Sequence, residues 1–467
     1  MAILHGLSPA PVEHCRVLEI ACNEGANLIP MAYAIPGSEF VGFDLARAPI
    51  ERGQERIREL GLKNIRIFAA DLLEAGGELG EFDYIVAHGF YSWVPAPVRE
   101  RLLALCSELL APNGIAFVSY NTLPGGSVRD AIREIMLYRM SGTEKLEEQV
   151  GEALQLVHFL LASRPEEDAY RRLMEEHLKK MEERTAPATF HDELSEAFHT
   201  VSFTEFNRHA RQHGLQYLSE AVLPPPPDPC YRQEVRAMIE AMAPGDIVAQ
   251  EQMLDFARGR KFRETLLCRA DREIRRDYPQ ESFRRLLLAS PATSAQGTAP
   301  GATIFTLPGG IRMEANHPGA VALMLELERA WPRALPFEEI DRRLTGTGLS
   351  LGAGGNTMLM RLAVSKFVEL HAWRPRLPAR MPERPRASAS SRQEIRAQSQ
   401  AAALFHSMVR LDDAIAQKFF LLLDGTRDRG ALLAALTAAF PEIPAEEIAK
   451  QLEPSLEYFY RAGFLEA

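Results

Sequence analysis

The sequence predicts an α/β fold, with a doubly wound, mainly parallel sheet, a helical insertion, and two mainly helical modules after it. Three observations predict this. Between residues 15 and 121, strand-like apolar runs alternate with helix-periodic segments. From 127 to 184 that rhythm stops and apolar residues recur three or four apart, as Leu146, Val150, Leu154, Val157 and Leu161 do. Finally, a chain of 467 residues exceeds the ~250–300 residues at which a single core stops growing, so further domains must follow.

In chain order the strands read CRVLEIA (15–21), EFVGFDL (39–45), NIRIFAAD (64–71), FDYIVAHG (82–89) and GIAFVSYN (114–121). Their near-continuous apolar character is that of strands covered on both faces. The helix before the fifth strand opens at Pro95 and Pro97 and carries Val98, Leu102, Cys106 and Leu109 on one face. After the helical insertion, placed at 127–200, the sheet resumes: a helix at 203–213 stops at Gly214, and QYLSEAVL and ETLLCRA (264–270) read as strands. The proline run 224–229 reads as a rigid connector. The first domain is therefore expected to span 1–280. Residues 290–375 then give a hairpin turning at Pro308-Gly309-Gly310, helices near 318–331, 336–344 and 356–366, and the strand FVELHAW, a winged-helix-like order. The stretch 376–404, rich in Pro, Arg, Ser and Ala, reads as a mobile linker. Residues 405–467 give three more amphipathic helices in a second winged-helix-like module, the first lined by Leu411, Ile415, Phe419 and Leu422.

Composition narrows the function. No apolar run reaches the ~18 residues of a membrane span, and no secretory leader is visible, so a cytoplasmic protein is expected. A net charge of −10 argues against nucleic acid as partner. Five cysteines without a CxxC pair read as buried thiols. His209 and His213 stand four apart on one helix with no third ligand evident, and His191 and His199 lack metal spacing, so no metal is expected. The basic run Arg258 to Arg263 reads as a solvated approach to a strand.

Chemistry concentrates in the first strand and its loop, LEIACNEGANL (18–28), followed by Asp44 at the end of the second strand. In a doubly wound sheet, ligands bind beyond the carboxyl ends of the strands, where a turn of small residues admits a cofactor and a carboxylate holds ribose hydroxyls. A dinucleotide loop would carry glycines for a pyrophosphate, yet Ala21, Asn23 and Glu24 stand here. S-adenosylmethionine has no phosphate and is cationic at sulfonium and ammonium, so acidic Glu19 and Glu24 suit it better than they suit NAD. Asn23 tolerates the left-handed angles such a turn needs.

The segment resembles motif I of class I methyltransferases, an acidic residue followed by GxGxG. Glu19 and Gly25 match, while Ala21 and Asn23 stand in place of glycines. The resemblance implies a Rossmann-like class I methyltransferase sheet binding S-adenosylmethionine through Glu19, Ala21, Asn23, Gly25, Asn27, Asp44, Asp71, Leu72 and His88. Asp44 corresponds to the acid on the ribose and Asp71-Leu72 to the pair that reads the adenine edge. A closer resemblance, carried by NLIPMAYAIPGSEFVGFDL, FDYIVAHGFYSWVP, GIAFVSYNTLPG, HGLQYLSEA, DFARGRKFRETLLCR and LLDGTRDRGALLAAL, is to bacterial methyltransferases with a methyltransferase regulatory domain. That family includes protein-lysine methyltransferases acting on outer-membrane proteins. Its members usually carry a Tyr- and Pro-rich stretch ahead of the first βα unit, which this sequence does not show before its first strand.

Two rims bear on the acceptor: His88-Gly89-Phe90-Tyr91-Ser92-Trp93 after the fourth strand, and Tyr120-Asn121-Thr122 after the fifth. Tyr91, Trp93 and Tyr120 are expected to flank a lysine stem and Asn121 to orient its nitrogen, while His88 is a further candidate base. The expected function is methylation of lysine side chains in a polypeptide, with outer-membrane proteins among the candidate partners. The alternatives are a small-molecule or lipid methyltransferase and a degenerate, non-catalytic S-adenosylmethionine-binding protein.

Overall fold

The computed structural model describes residues 1–139, 145–183, 185–195, 197–223, 233–346 and 355–467. The proline run 224–229, Cys230 and the side chain of His191 lie outside the described residues.

Five parallel strands form most of the first sheet: β1 (Arg16–Ile20), β2 (Glu39–Asp44), β3 (Ile65–Ala69), β4 (Phe82–Ala87) and β5 (Leu110–Asn121). Two more join at one edge, β6 (Leu215–Glu220) and β7 (Phe262–Arg269), giving the order β3-β2-β1-β4-β5-β7-β6 with β7 antiparallel to both neighbours. The order reverses between β1 and β4, and a doubly wound sheet opens its binding crevice at the strand ends there. Leu18, Val41, Ile85, Ala116 and Leu267 are buried, which is why these strands read as unbroken apolar runs.

Three helices alternate with the strands: α1 (Leu28–Ala34), α2 (Arg47–Leu60) and α3 (Ala96–Leu109), the last with Pro95 as its N-cap. Five described helices then stand between β5 and β6, the first four being α4 (Ser127–Arg139), α5 (Leu146–Ala162), α6 (Ala169–Glu182) and α7 (Ala186–Leu194). They bury their own core of Ile132, Met136, Val150, Val157, Met174 and Leu178. Next comes α8 (Phe203–Gln212), opened by a reciprocal capping box between Ser202 and Glu205 and ended by Gly214 at φ +72°. Two helices, α9 (Gln233–Met242) and α10 (Ile247–Arg258), lead into β7.

The basic run before β7 does not face solvent throughout. Arg263 is fully buried, because β6 and α10 bring Glu220, Glu251 and Asp255 around its guanidinium.

A second core gathers Phe305, Leu323, Leu327, Phe337, Ile340 and Phe367. The hairpin pairs Thr303–Thr306 with Arg312–Ala315, and a third strand, Thr293–Gln296, adds to it. Leu4 belongs to this second core, with Met1 and Ile3 packed against it, so the chain's first residues cross from one unit to the next. The third core is formed by Phe419, Phe420, Leu432, Leu436, Leu456 and Phe459 on the helices Ala414–Leu422, Arg429–Ala439 and Ala445–Arg461.

The stretch 376–404 is not a mobile linker. Ser388 caps a helix at Ala389–Ala397, Ala387, Ser390 and Ser391 are buried, and Ala387 and Ile395 join the third core. Small side chains allow close packing, and the polar ones are satisfied within: Ser391 Oγ donates to the Ala402 carbonyl at 2.6 Å. This helix also docks on the first domain. Arg56 on α2 lies 3.5 Å from Glu394 and donates to Gln393, and Tyr33 on α1 donates to Glu466. The four described cysteines, Cys15, Cys22, Cys106 and Cys268, are buried free thiols.

Candidate cofactor and acceptor site

The loop after β1 turns through three left-handed residues, Ala21 (φ +59°), Asn23 (φ +51°) and Gly25 (φ +73°). Asn23 meets its requirement as an asparagine can, whereas Ala21 holds an angle that favours glycine. Two glycines outside the loop make room for it. A Cβ on Gly53 of α2 would stand 2.3 Å from the Glu24 carbonyl, and one on Gly42 of β2 would stand 2.8 Å from Cys22 Sγ. Neither was singled out from the sequence, although a glycine inside a strand marks close approach.

Glu19 lies at the carboxyl end of β1, 5% exposed. Asn27 Nδ2 donates to its Oε1 at 3.0 Å, while Oε2 is buried with no hydrogen-bond partner. Burial pushes its carboxyl up to about 7, against which the Asn27 bond acts. A buried carboxylate oxygen with an open valence fits a cationic ligand group and repels a phosphate. Glu24 is different: it pairs with Arg52 at 3.1 Å and lies 3.9 Å from Arg56, so it braces the loop against α2 instead of meeting a cofactor.

Asp44 ends β2, with Oδ2 accepting from Asn23 N at 2.9 Å and Oδ1 from Ala46 N at 2.8 Å. Beside it Leu45 is 73% exposed, an apolar face adjoining the acid that no periodicity in the chain marks out. Asp71 follows β3 and accepts from Leu73 N at 2.9 Å, whereas the Leu72 side chain is buried in the core, so only the backbone of Leu72 can face a ligand. The acceptor set of Glu19, Asp44 and Asp71 around a turn without a phosphate-binding glycine pattern fits S-adenosylmethionine. Asp44→Ala is expected to weaken its binding by roughly 1.5–3 kcal/mol, the worth of charge-assisted bonds to ribose hydroxyls. Calorimetric titration checks this, and an unchanged affinity removes Asp44 from the site.

On the acceptor side His88 and Gly89 are exposed just beyond β4. Gly89, at φ +60°, donates its N–H to Ser119 Oγ at 2.7 Å. The aromatic pair expected on the rim is placed otherwise. Tyr120 is 1% exposed, stacked on Phe206 of α8 at 4.0 Å with its hydroxyl 3.1 Å from Thr265 Oγ1. Tyr91 is buried against the same Phe206, its hydroxyl 2.9 Å from His209 Nδ1. Both rings anchor α8 to the sheet, because α8 covers the β5 face onto which Tyr120 projects. Asn121 is also buried, and its Oδ1 accepts from Arg129 on α4 at 3.1 Å. Arg129 pairs with buried Glu193 at 2.9 Å and lies 4.9 Å from the Trp93 ring, which packs on Phe198 at 4.8 Å. Asn121 and Trp93 thus latch the helical insertion to the rim. Of the acceptor-side set only Trp93 stays half-exposed, beside exposed His88.

Comparison with known proteins places families along the chain. Residues 18–116 match the family described as a methyltransferase domain, residues 188–269 a predicted methyltransferase regulatory domain, and residues 383–443 the C-terminal winged helix domain of PKMT. A protein of Rickettsia prowazekii is 34% identical over 288 residues, 61% of this chain and 51% of its own length. A second from the same organism is 40% identical over 157 residues, 34% of this chain and 63% of its own length. The chain thus spans less than two thirds of these curated relatives. The structure of PKMT2 from Rickettsia typhi aligns with a TM-score of 0.86 at 24% identity, covering 99% of this chain and 96% of that one. Its complex with AdoHcy aligns at 0.85 and 23% identity over the same shares. At these identities the likeness is one of fold. Among the described residues no helix is long and apolar enough to cross a membrane.

Proposed function

We propose that this chain, a class I S-adenosylmethionine methyltransferase with a regulatory domain and a PKMT-type winged-helix domain, methylates lysine side chains of a protein substrate. The observation that carries the reading is Glu19: a buried carboxylate with one unpartnered oxygen, at the switch point of the sheet, suited to the ammonium of the cofactor's methionine part. Asp44, Asp71 and the backbone of the β1 loop would hold the rest. When bound, S-adenosylmethionine supplies an electrophilic methyl group whose transfer discharges a sulfonium.

The chain's own part is alignment. A lysine amine, with a reference pKa of ~10.4, must arrive neutral, and an approach past Trp93 and His88 that the bound polypeptide itself covers from water would lower the stability of its ammonium form. The helices α4–α7, latched to that approach through Arg129 and Glu193, form its roof. A polypeptide acceptor is favoured because the two C-terminal units add surface and, among the described residues, no second cofactor loop, and because the last of them is of the PKMT kind. Outer-membrane proteins are the substrates that the family resemblance suggests.

Incubating the protein with methyl-labelled S-adenosylmethionine and a cell-envelope extract tests this. Label is expected in polypeptide. Label confined to small solutes or lipids would move the assignment to a small-molecule enzyme, and absence of any transfer would leave a cofactor-binding protein.

A further inference from the structure

Among the described residues, one set of side chains outside the cofactor site converges as ligands for a cation: Glu100 on α3, His209 on α8, and His213 one turn further on. Their ligand atoms all lie within 4.8 Å of one another. Glu100 Oε2 stands 2.9 Å from His209 Nε2, and Oε1 stands 3.0 Å from His213 Nε2. Two features separate this from an ordinary surface ion pair. The Nε2 of His213 is buried and makes no hydrogen bond despite its closeness to the carboxylate. The other nitrogen of His209 lies 2.9 Å from Tyr91 Oη, an outer contact of the kind that fixes a ligand ring and aims Nε2 at a metal.

We propose that Glu100, His209 and His213 bind a divalent cation of the zinc class, which clamps α3 of the methyltransferase domain to α8 of the regulatory domain. Two imidazoles four residues apart with one carboxylate make an N2O set, which suits zinc and not the all-oxygen shells of calcium or magnesium. The Glu100 side chain is 62% exposed, so the cation enters from solvent and water completes a tetrahedral shell. The site sits directly behind Tyr91, whose ring packs on Phe206 and whose loop carries Trp93. Occupancy therefore stiffens the joint between the regulatory domain and the acceptor rim.

Calorimetric titration of chelator-stripped, full-length protein with zinc chloride tests the proposal, together with Glu100→Gln and His213→Gln. The wild type is expected to take up one zinc per chain and to gain thermal stability from it. Each variant is expected to bind on the order of tenfold more weakly, or worse, and to lose the thermal gain. Glu100→Gln changes an exposed side chain without changing its shape, and circular dichroism confirms that each variant is folded. Absence of binding in the wild type, or equal affinity in the wild type and Glu100→Gln, would overturn the site.

Discussion

Replacing Arg263 by methionine is expected to lower the unfolding free energy by about 3–5 kcal/mol, the cost of stranding buried charges when one partner is removed. The guanidinium is fully buried, with Nε and Nη2 each 2.8 Å from the two oxygens of Asp255, Nη1 2.7 Å from Glu220, and Nη2 3.0 Å from Glu251. It also lies 3.8 Å from the centre of the Phe203 ring. Methionine keeps most of the stem's volume, so the loss reports charge and not a cavity. Asp255 is left buried without its forked partner, and Arg260, which reaches Glu220 at 2.5 Å, relieves only part of the excess. The deficit should shrink in acid, where the stranded carboxylates take up protons. Urea unfolding at pH 7 and pH 4 measures both effects. A loss below about 1 kcal/mol, as for an exposed pair, would contradict this account of the β6–β7 edge.

Glu19→Gln is expected to flatten the pH dependence of stability between about pH 4.5 and 7 by about 3 kcal/mol and to weaken S-adenosylmethionine binding on the order of ten- to a hundredfold. The folded carboxyl titrates at about 7, above its value in the unfolded chain. Within that window the native state holds a proton that the unfolded chain has lost. Glu19's contribution is thus fully present in acid and is lost as pH rises through the folded pKa. Glutamine stays neutral and lacks this slope. Binding of a cationic ammonium beside Glu19 should expel the proton, so titrations at pH 6 in buffers of different ionisation enthalpy should show proton release for the wild type and none for Glu19→Gln. Equal release by both proteins would place Glu19 outside the cofactor's reach.

The sheet was legible because its strands are covered on both faces: Leu18, Val41 and Ile85 leave no alternation to misread. The strand-end positions of Glu19 and Asp44 were legible because the acids follow directly on apolar strand runs, and such ends have a fixed place relative to the crevice of a doubly wound sheet. What failed depended on partners distant in sequence. An aromatic after a strand reads the same whether it faces a ligand or a helix, and only the position of α8 turns Tyr91 and Tyr120 onto Phe206. Arg263 looked solvated because the acids that bury it come from β6 and α10. The stretch 376–404 looked mobile because large apolar groups are scarce there, yet Ala387, Ser390 and Ser391 pack as well as large ones where space is narrow. Spacing could find His209 and His213 together, but Glu100 stands 109 positions away from His209.

Amino-acid analysis of the polypeptide labelled from methyl-labelled S-adenosylmethionine decides whether the acceptor is a lysine. Label is expected to co-elute with methylated lysine after acid hydrolysis and to fall sharply when Asp44→Ala replaces the wild-type enzyme. Label released as volatile methanol, as from a carboxyl methyl ester, label on another amino acid, or undiminished lysine label with the Asp44 variant would overturn the lysine assignment.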